Sequence, residues 1–435
     1  MKSVTMEQEM VLKRYLEKIT PITVEEEVST RLEVSDHLRR HEGPVLFNRI
    51  TGYPGWRIAG NICTSRKVFA DILEVSADRL LDTLAEAMSH PTKYNTVSDA
   101  GFLQNEFDEP DVIKQIPLVM YYQEKERYYT SATIFLALDP DTERQNASFH
   151  RMMYLEENRF SIRLVPRDLF NFYKKNQQNG QDTKAVVISG VHPAVSLAAA
   201  TSYPNLDELE LANTFLKGGL KCLDIGGIDV PVDSEVVMVG RLLHDEVAEE
   251  GPFVDITGTW DKVRQEPVFE VEKLYMQDDP IWQVILPGWT EHRLLMGLTQ
   301  EPRILNIVRN AVPSVKDAVL TRGGVGWLHA VVSIRKRYEG EGKNAGLAAL
   351  SAHPSLKRVI VVDDDIDVKD SESVEWALAT RLRPDEGITF VKGTRSSSLD
   401  PSSAGTGVAT KWIIDATIPL DRDRGDFEKV EGSWS

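Results

Sequence analysis

Between residues 118 and 274 the chain runs as a succession of short apolar segments rich in β-branched and aromatic residues. They lie at 118–122, 128–138, 149–155, 160–165, 185–190, 228–240 and 268–274, separated by turn clusters such as Asp139-Pro140-Asp141. Such segments suit a pleated, half-buried surface better than a helical stripe. Strands that follow one another with few long helices between them predict a β-barrel or split barrel. Short helices are expected at 194–200, which is built of small residues, and at 207–215.

The flanks read differently. Apolar residues at helical spacing (Met10, Leu12, Leu16) predict a surface helix over 6–18. A strand at 44–47, a Gly52-Tyr53-Pro54-Gly55 turn and helices at 66–73 and 77–88 follow. After 299, helices at 304–312, 344–353 and 371–380 alternate with strands at 315–320, 328–334 and 359–362, a βαβ pattern. The expected fold class is α/β (α+β). It comprises an N-terminal α/β unit over 1–112, a central split β-barrel over 113–298 and a C-terminal α/β domain over 299–435 with a charged, loose tail. A length of 435 residues suits two or three domains.

The formal net charge of −17 argues against nucleic acid as the main partner and against adhesion to anionic membranes. A small anionic substrate remains compatible, because a few local Arg and Lys residues decide that. Two cysteines, Cys63 and Cys222, make neither a disulfide framework nor a cysteine metal site. The first residues lack the apolar core of a signal peptide, and no apolar run approaches the ~18 residues of a membrane span. A cytoplasmic location is expected.

The segment Glu249-Glu250-Gly251-Pro252-Phe253-Val254-Asp255 places two carboxylates, Glu250 and Asp255, on either side of a Gly-Pro turn. A rigid bend aims both acids at one point, where mutual repulsion keeps one protonated near neutrality. The bland alternative is an acidic surface loop with Asp255 as a cap. Asn146-Ala147-Ser148-Phe149-His150-Arg151 offers a guanidinium fork on a strand-like segment; on a regular strand His150 would point away from Arg151. The acids of Asp207-Glu208-Leu209-Glu210 suit a helix first turn, or one of them binds a hard divalent ion together with the Asn146 amide oxygen. Two apart on a helix, Glu208 and Glu210 face different sides. Arg322-Gly323-Gly324-Val325-Gly326 reads as a turn and Asp363 to Asp367 as a solvated strand end.

As an ordered set, these residues resemble the UbiD family of decarboxylases, which use prenylated flavin mononucleotide (prenylated FMN). The resemblance runs from about Pro44 to Thr417. Asn146 to Arg151 matches the family's Asn-x-x-x-x-Arg element, and Glu208 to Ala212 resembles its second metal-binding element. Val232 to Val237 resembles a barrel strand, and Glu250 to Asp255 matches the Glu-Gly-Pro-aromatic-x-acid loop. Val361 to Asp367 and Lys411 to Thr417 match its C-terminal domain.

The resemblance implies a catalytic set of Arg151, Glu250 and Asp255. Asn146 and Glu208 (with Glu210 as the fallback) would hold a divalent metal, Mn2+ or Mg2+, with K+ as a further candidate ion. Ser148, Phe149, His150, Arg151, Arg163, Pro166 and Arg167 would line the flavin, and Lys411 would reach its phosphate. Arg167 stands where many members carry a third metal ligand, a His; a one-residue gap would put Asp168 there instead. The split barrel would hold the cofactor and the C-terminal domain would oligomerise, as a homodimer or hexamer. A separate flavin prenyltransferase would supply the cofactor.

The segments 146–153 and 286–297 look like the archaeal branch of the family, which includes the decarboxylase of trans-anhydromevalonate 5-phosphate in a variant mevalonate pathway. His292 and Arg293 are then candidates for contacting the substrate, unless Thr290 and Glu291 simply open a helix. Two alternatives are a decarboxylase of an aromatic or heteroaromatic acid and a non-catalytic subunit of a carboxylase.

Overall fold

The computed structural model describes residues 11–123, 126–403 and 407–430. The chain forms two compact units, 1–295 and 296–435. Within the first, nine strands form one sheet, built around a long antiparallel pair, Val236–Glu250 and Arg264–Met276. Their register sets Glu250 opposite Arg264. Arg159–Ile162 pairs with the outer side of Arg264–Met276, and Met152–Glu156 with Arg159–Ile162. On the other side lie Thr183–Ser189, Ile134–Leu138 and Gln145–Phe149 in turn, all antiparallel. Among the described residues the strand order runs open from Tyr129–Thr130 to Gln145–Phe149, and the sheet packs Phe135, Phe160, Met238, Leu242 and Phe269 into one core. Gly240 sits at a register shift where an added Cβ would lie 2.1 Å from the Glu270 carbonyl oxygen, so only glycine lets the two strands approach.

A four-stranded sheet joins Ile22–Val28, Val45–Ile50 and Arg57–Gly60 to Ile281–Val284, which returns from far along the chain to pair in parallel with Arg57–Gly60. A third sheet has three strands, Ile228–Pro231, Lys221–Ile225 and Asn95–Val97. The expected helix at 6–18 is seen as Leu12–Ile19, its first positions lying outside the described residues. The expected strand at 118–122 makes only isolated bridges, Val119 with Tyr129 and Met120 with Arg31. Its apolar residues are buried without a ladder, so composition alone misled. The segment 228–240 divides where Ser234 N–H turns back to the Pro231 carbonyl oxygen.

The second unit carries a mixed sheet ordered Val315–Leu320, His329–Ile334, Arg358–Asp363, Val408–Asp415 and Ile388–Arg395. Its three main helices are Glu301–Ala311, Glu341–Ala352 and Ser371–Arg381. The acidic run after the third strand is less solvated than expected. Asp363 is buried and pairs with Arg381 at 3.0 Å, and Asp365 meets the same guanidinium at 2.6 Å. Among the described residues no helix is long and apolar enough to cross a membrane.

Candidate active site

The apolar segment expected at 149–155 is broken. Gln145–Phe149 ends, His150 and Arg151 form the junction, and Met152–Glu156 begins. Freed from strand alternation, the two side chains take separate partners. Arg151 donates from Nε to Glu250 Oε1 at 2.8 Å and from Nη2 to Glu250 Oε2 at 2.9 Å. Glu250, the last residue of its strand, is fully buried. The planar fork meets the carboxylate two-to-two, the strongest geometry open to such a pair. Burial works against the Arg151 charge. The Glu250 bonds and the Asp255 and Asp261 charges outweigh it and push the guanidinium pKa further up. Arg151 also lies 4.7 Å from the Phe253 ring centroid.

Past Glu250, Gly251 takes φ +97°, a left-handed angle that glycine adopts without strain, and the Gly251–Pro252 bond is cis. The chain then closes a turn in which Gly258 N–H meets the Asp255 carbonyl oxygen at 2.8 Å and Asp255 N–H meets the Thr259 carbonyl oxygen at 3.0 Å. Asp255 Oδ1 accepts the Ile256 N–H at 2.6 Å. Asp255 is near enough for its charge to act on Arg151, yet the carboxylate hydrogen-bonded to Arg151 beside Glu250 is Asp261, at 3.1 Å. Asp261 went unnoticed in the sequence. Burial opposes its charge, but the Arg264 hydrogen bond and the Arg151 charge hold its carboxyl down at about 2. It stays ionised and cannot donate a proton near neutrality. The hairpin brings it there, with Asp261 N–H on the Phe253 carbonyl oxygen.

His150 donates from Nδ1 to the Arg163 carbonyl oxygen at 3.0 Å, which leaves Nε2 as an acceptor 3.1 Å from Ser148 Oγ. Burial, with the Arg167 and Arg163 charges, pushes its pKa down to about 4, so the ring is neutral. Ser148 Oγ also lies 2.9 Å from Asn146 Oδ1. One hydroxyl proton cannot serve two acceptors, so a lone pair is left over. Asn146 Nδ2 and the Ala147 N–H both donate to the buried Glu208 carboxylate, at 3.1 and 2.9 Å. Glu208, not Glu210, therefore meets Asn146. Its burial raises its carboxyl to about 8.

Models of three parts of one family match the chain. They are the N-terminal domain of 3-octaprenyl-4-hydroxybenzoate carboxy-lyase (UbiD) over residues 21–88, its Rift-related domain over 95–290 and its C-terminal domain over 293–416. The anhydromevalonate phosphate decarboxylase of Methanothermobacter thermautotrophicus is 41% identical over 97% of this chain and 100% of that one. The chain belongs to the UbiD family of carboxy-lyases. Among solved structures, the UbiD-class enzyme HmfF from Pelotomaculum thermopropionicum in complex with FMN matches with TM-score 0.93 and 33% identity, covering 97% and 96% of the two chains. An evolved dimeric form of HmfF in complex with prFMN matches with TM-score 0.90 and 32% identity, over 98% and 97%.

The remaining positions suggested by the UbiD resemblance divide. Arg163 is tied to Glu266 at 2.6 Å and lies 3.7 Å from Asp261, so it braces the site. Arg167 is exposed at the start of the helix Asp168–Gln178 and makes no ion pair among the described residues. Asp168 pairs with Arg144 at 3.2 Å. Pro166 is exposed and Phe149 half-buried. Lys411 lies in the second unit, buried, with its ammonium on the Pro354 carbonyl oxygen. His292 Nδ1 accepts the Gly288 N–H at 3.0 Å, and Arg293 Nε donates to the Ile256 carbonyl oxygen at 3.1 Å. Both therefore border the Asp255 turn, and the Asp255 and Arg151 charges both act on His292.

Glu291 opens the helix Thr290–Leu298, but it is fully buried rather than solvated. Its Oε1 accepts the Cys63 N–H at 2.8 Å and its Oε2 has no partner among the described residues. Burial raises its carboxyl from 4.5 to about 7. The neutral form favours folding, so its contribution is complete below pH 4.5 and is lost as pH rises through 7. Glu291→Gln is expected to remove a fall of about 3 kcal/mol across that window. Denaturant unfolding at pH 5 and pH 8 checks this; an unchanged pH slope in the variant would contradict it.

Proposed function

We propose that this chain is a prenylated-FMN-dependent decarboxylase of a phosphorylated α,β-unsaturated acid, trans-anhydromevalonate 5-phosphate, giving isopentenyl phosphate. The observation that carries the reading is the buried Arg151–Glu250 pair with the Asp255 turn beside it. Supporting it are the relative's activity and the flavins bound by the two HmfF structures.

Loss of CO₂ from such an acid would leave a vinyl carbanion, and prenylated FMN when bound supplies the electron sink. The residues do the rest. Glu250 fixes the plane of Arg151 by occupying Nε and Nη2, which leaves Nη1 without a protein hydrogen bond among the described residues. That N–H can hold the substrate carboxylate and release it as charge leaves. Asp255 protonates the carbon from which CO₂ has departed. His292 and Arg293 stand at the turn as candidates for the substrate's second anionic group.

The donors at the Asn146 end suit a phosphate and a hard cation. Arg167 makes no ion pair among the described residues and its charge acts on His150, Asn146 Oδ1 competes for a shared proton, and Glu208 is a buried carboxyl group held by the Asn146 and Ala147 amides. A half-turn of the Asn146 amide exchanges its N and O and brings two oxygens together. Among the described residues no cluster of three His, Cys, Asp or Glu side chains could complete the shell. Phosphate oxygens and water would supply the other ligands of Mn2+ or Mg2+, and K+ belongs to the same reading. Glu208→Gln is expected to strip the divalent metal from protein co-produced with a flavin prenyltransferase, read by elemental analysis. Metal retained at the wild-type ratio would remove Glu208 from the ligand set.

The division into 1–112, 113–298 and 299–435 and assembly as a homo-oligomer belong to the same proposal, supported by the three separate family-model spans and by the dimeric HmfF form. The decisive test is to co-produce the chain with a flavin prenyltransferase, identify the released flavin by mass spectrometry, and assay both trans-anhydromevalonate 5-phosphate and aromatic acids. Turnover of the phosphorylated acid alone is expected. Turnover of aromatic acids alone would overturn the substrate assignment, and a folded protein that takes up no flavin would overturn the whole reading.

A further inference from the structure

Tyr129 stands within reach of the Glu250 and Arg151 charges. It is 2% exposed, in the short strand Tyr129–Thr130 that pairs with Met152 and Met153, next to the junction bearing Arg151. Its ring packs on Phe253 at 4.3 Å between centroids, and the Arg151 guanidinium lies 4.7 Å from the same Phe253 centroid. Its hydroxyl is buried and makes no hydrogen bond of normal geometry among the described residues. The polar groups around it are the Glu250 carboxylate, the Gly251 N–H and Arg151; burial and the Glu250 charge push the phenol pKa up.

An unmet buried donor costs about 1–3 kcal/mol. Phenylalanine would pack on Phe253 as well without that cost, so the hydroxyl calls for a partner. Glu250 has room for one. An ionised carboxylate accepts about four hydrogen bonds, and Arg151 uses two. Hydrogen bonds in an unliganded site often run long and shorten only when substrate is bound.

We propose that Tyr129 is a positioning residue for the reaction: its hydroxyl takes the Gly251 N–H and donates to Glu250, holding that carboxylate in the plane that orients Arg151. The inference rests on the decarboxylase reading for its catalytic consequence, but not for the contact itself.

The test is a double-variant cycle of Tyr129→Phe and Glu250→Gln in the full chain. In the flavin-loaded enzyme, Tyr129→Phe is expected to lower kcat about tenfold with KM within about twofold, and to cost nothing further on top of Glu250→Gln. In the flavin-free protein, Tyr129→Phe should lower the melting temperature, and should lower it less when residue 250 is Gln. A hydroxyl that merely filled space would give additive effects in both measurements, and an unchanged kcat in Tyr129→Phe would also overturn the role. If the wild type turns over no acid at all, the decarboxylase reading has failed; the melting cycle still decides the contact, with additivity refuting it and non-additivity supporting it.

Discussion

Arg151→Ala is expected to destabilise the protein by about 3–5 kcal/mol and to abolish turnover. The stability loss follows from what remains. Glu250 is fully buried, and Arg151 supplies both of its close ionic contacts. Removing the guanidinium leaves a charge out of water with no countercharge bound to it, which costs far more than the pair contributed. Adding Glu250→Leu to Arg151→Ala should therefore recover most of the lost stability while leaving activity absent. Chemical denaturation of the single and double variants measures this. A single variant as stable as the wild type would mean that Glu250 is not confined as described.

Asp255→Asn is expected to lower turnover by ~10²–10⁴-fold, the usual worth of a positioned proton donor, with flavin content unchanged. The substitution is well matched to the question. The amide oxygen of Asn still accepts the Ile256 N–H that Asp255 Oδ1 accepts at 2.6 Å, and the two backbone bonds of the turn do not involve the side chain. The loop should persist and the transferable proton should go. Full activity in this variant would sink the assignment and direct attention to His292, which the Asp255 and Arg151 charges both reach. Asp261 is not a substitute donor, because its carboxyl is held down at about 2.

Much of this site was legible because its parts are local. The Gly251-Pro252 bend between two acids, the Asn146 to Arg151 run and the capped helix start at Asp207 each announce themselves within a few residues. The structure finds Asp207 accepting the N–H groups of Leu209 and Glu210, which fixes the helix on which Glu208 sits. What stayed hidden is non-local. Asp261 reaches Arg151 only through the register of Val236–Glu250 against Arg264–Met276, and the second strand begins four residues earlier than its apolar pattern suggests. Arg163 was expected to line a flavin, and its pairing with Glu266, from a neighbouring strand, could not be read from its own segment. Glu291 read only as a first-turn acid, and its burial against the Cys63 N–H, 228 residues away, could not be seen locally.

By itself, then, the sequence determined the turn at 251–252, the acids flanking it, the strand-rich middle and the alternating last third, because spacing and turn chemistry act over a few residues. Which carboxylate meets which guanidinium was decided only by the tertiary structure. Arg151 and Glu250 are 99 residues apart, and no local preference spans that distance. Sheet register and burial bring them together, and burial is also what makes breaking the pair costly.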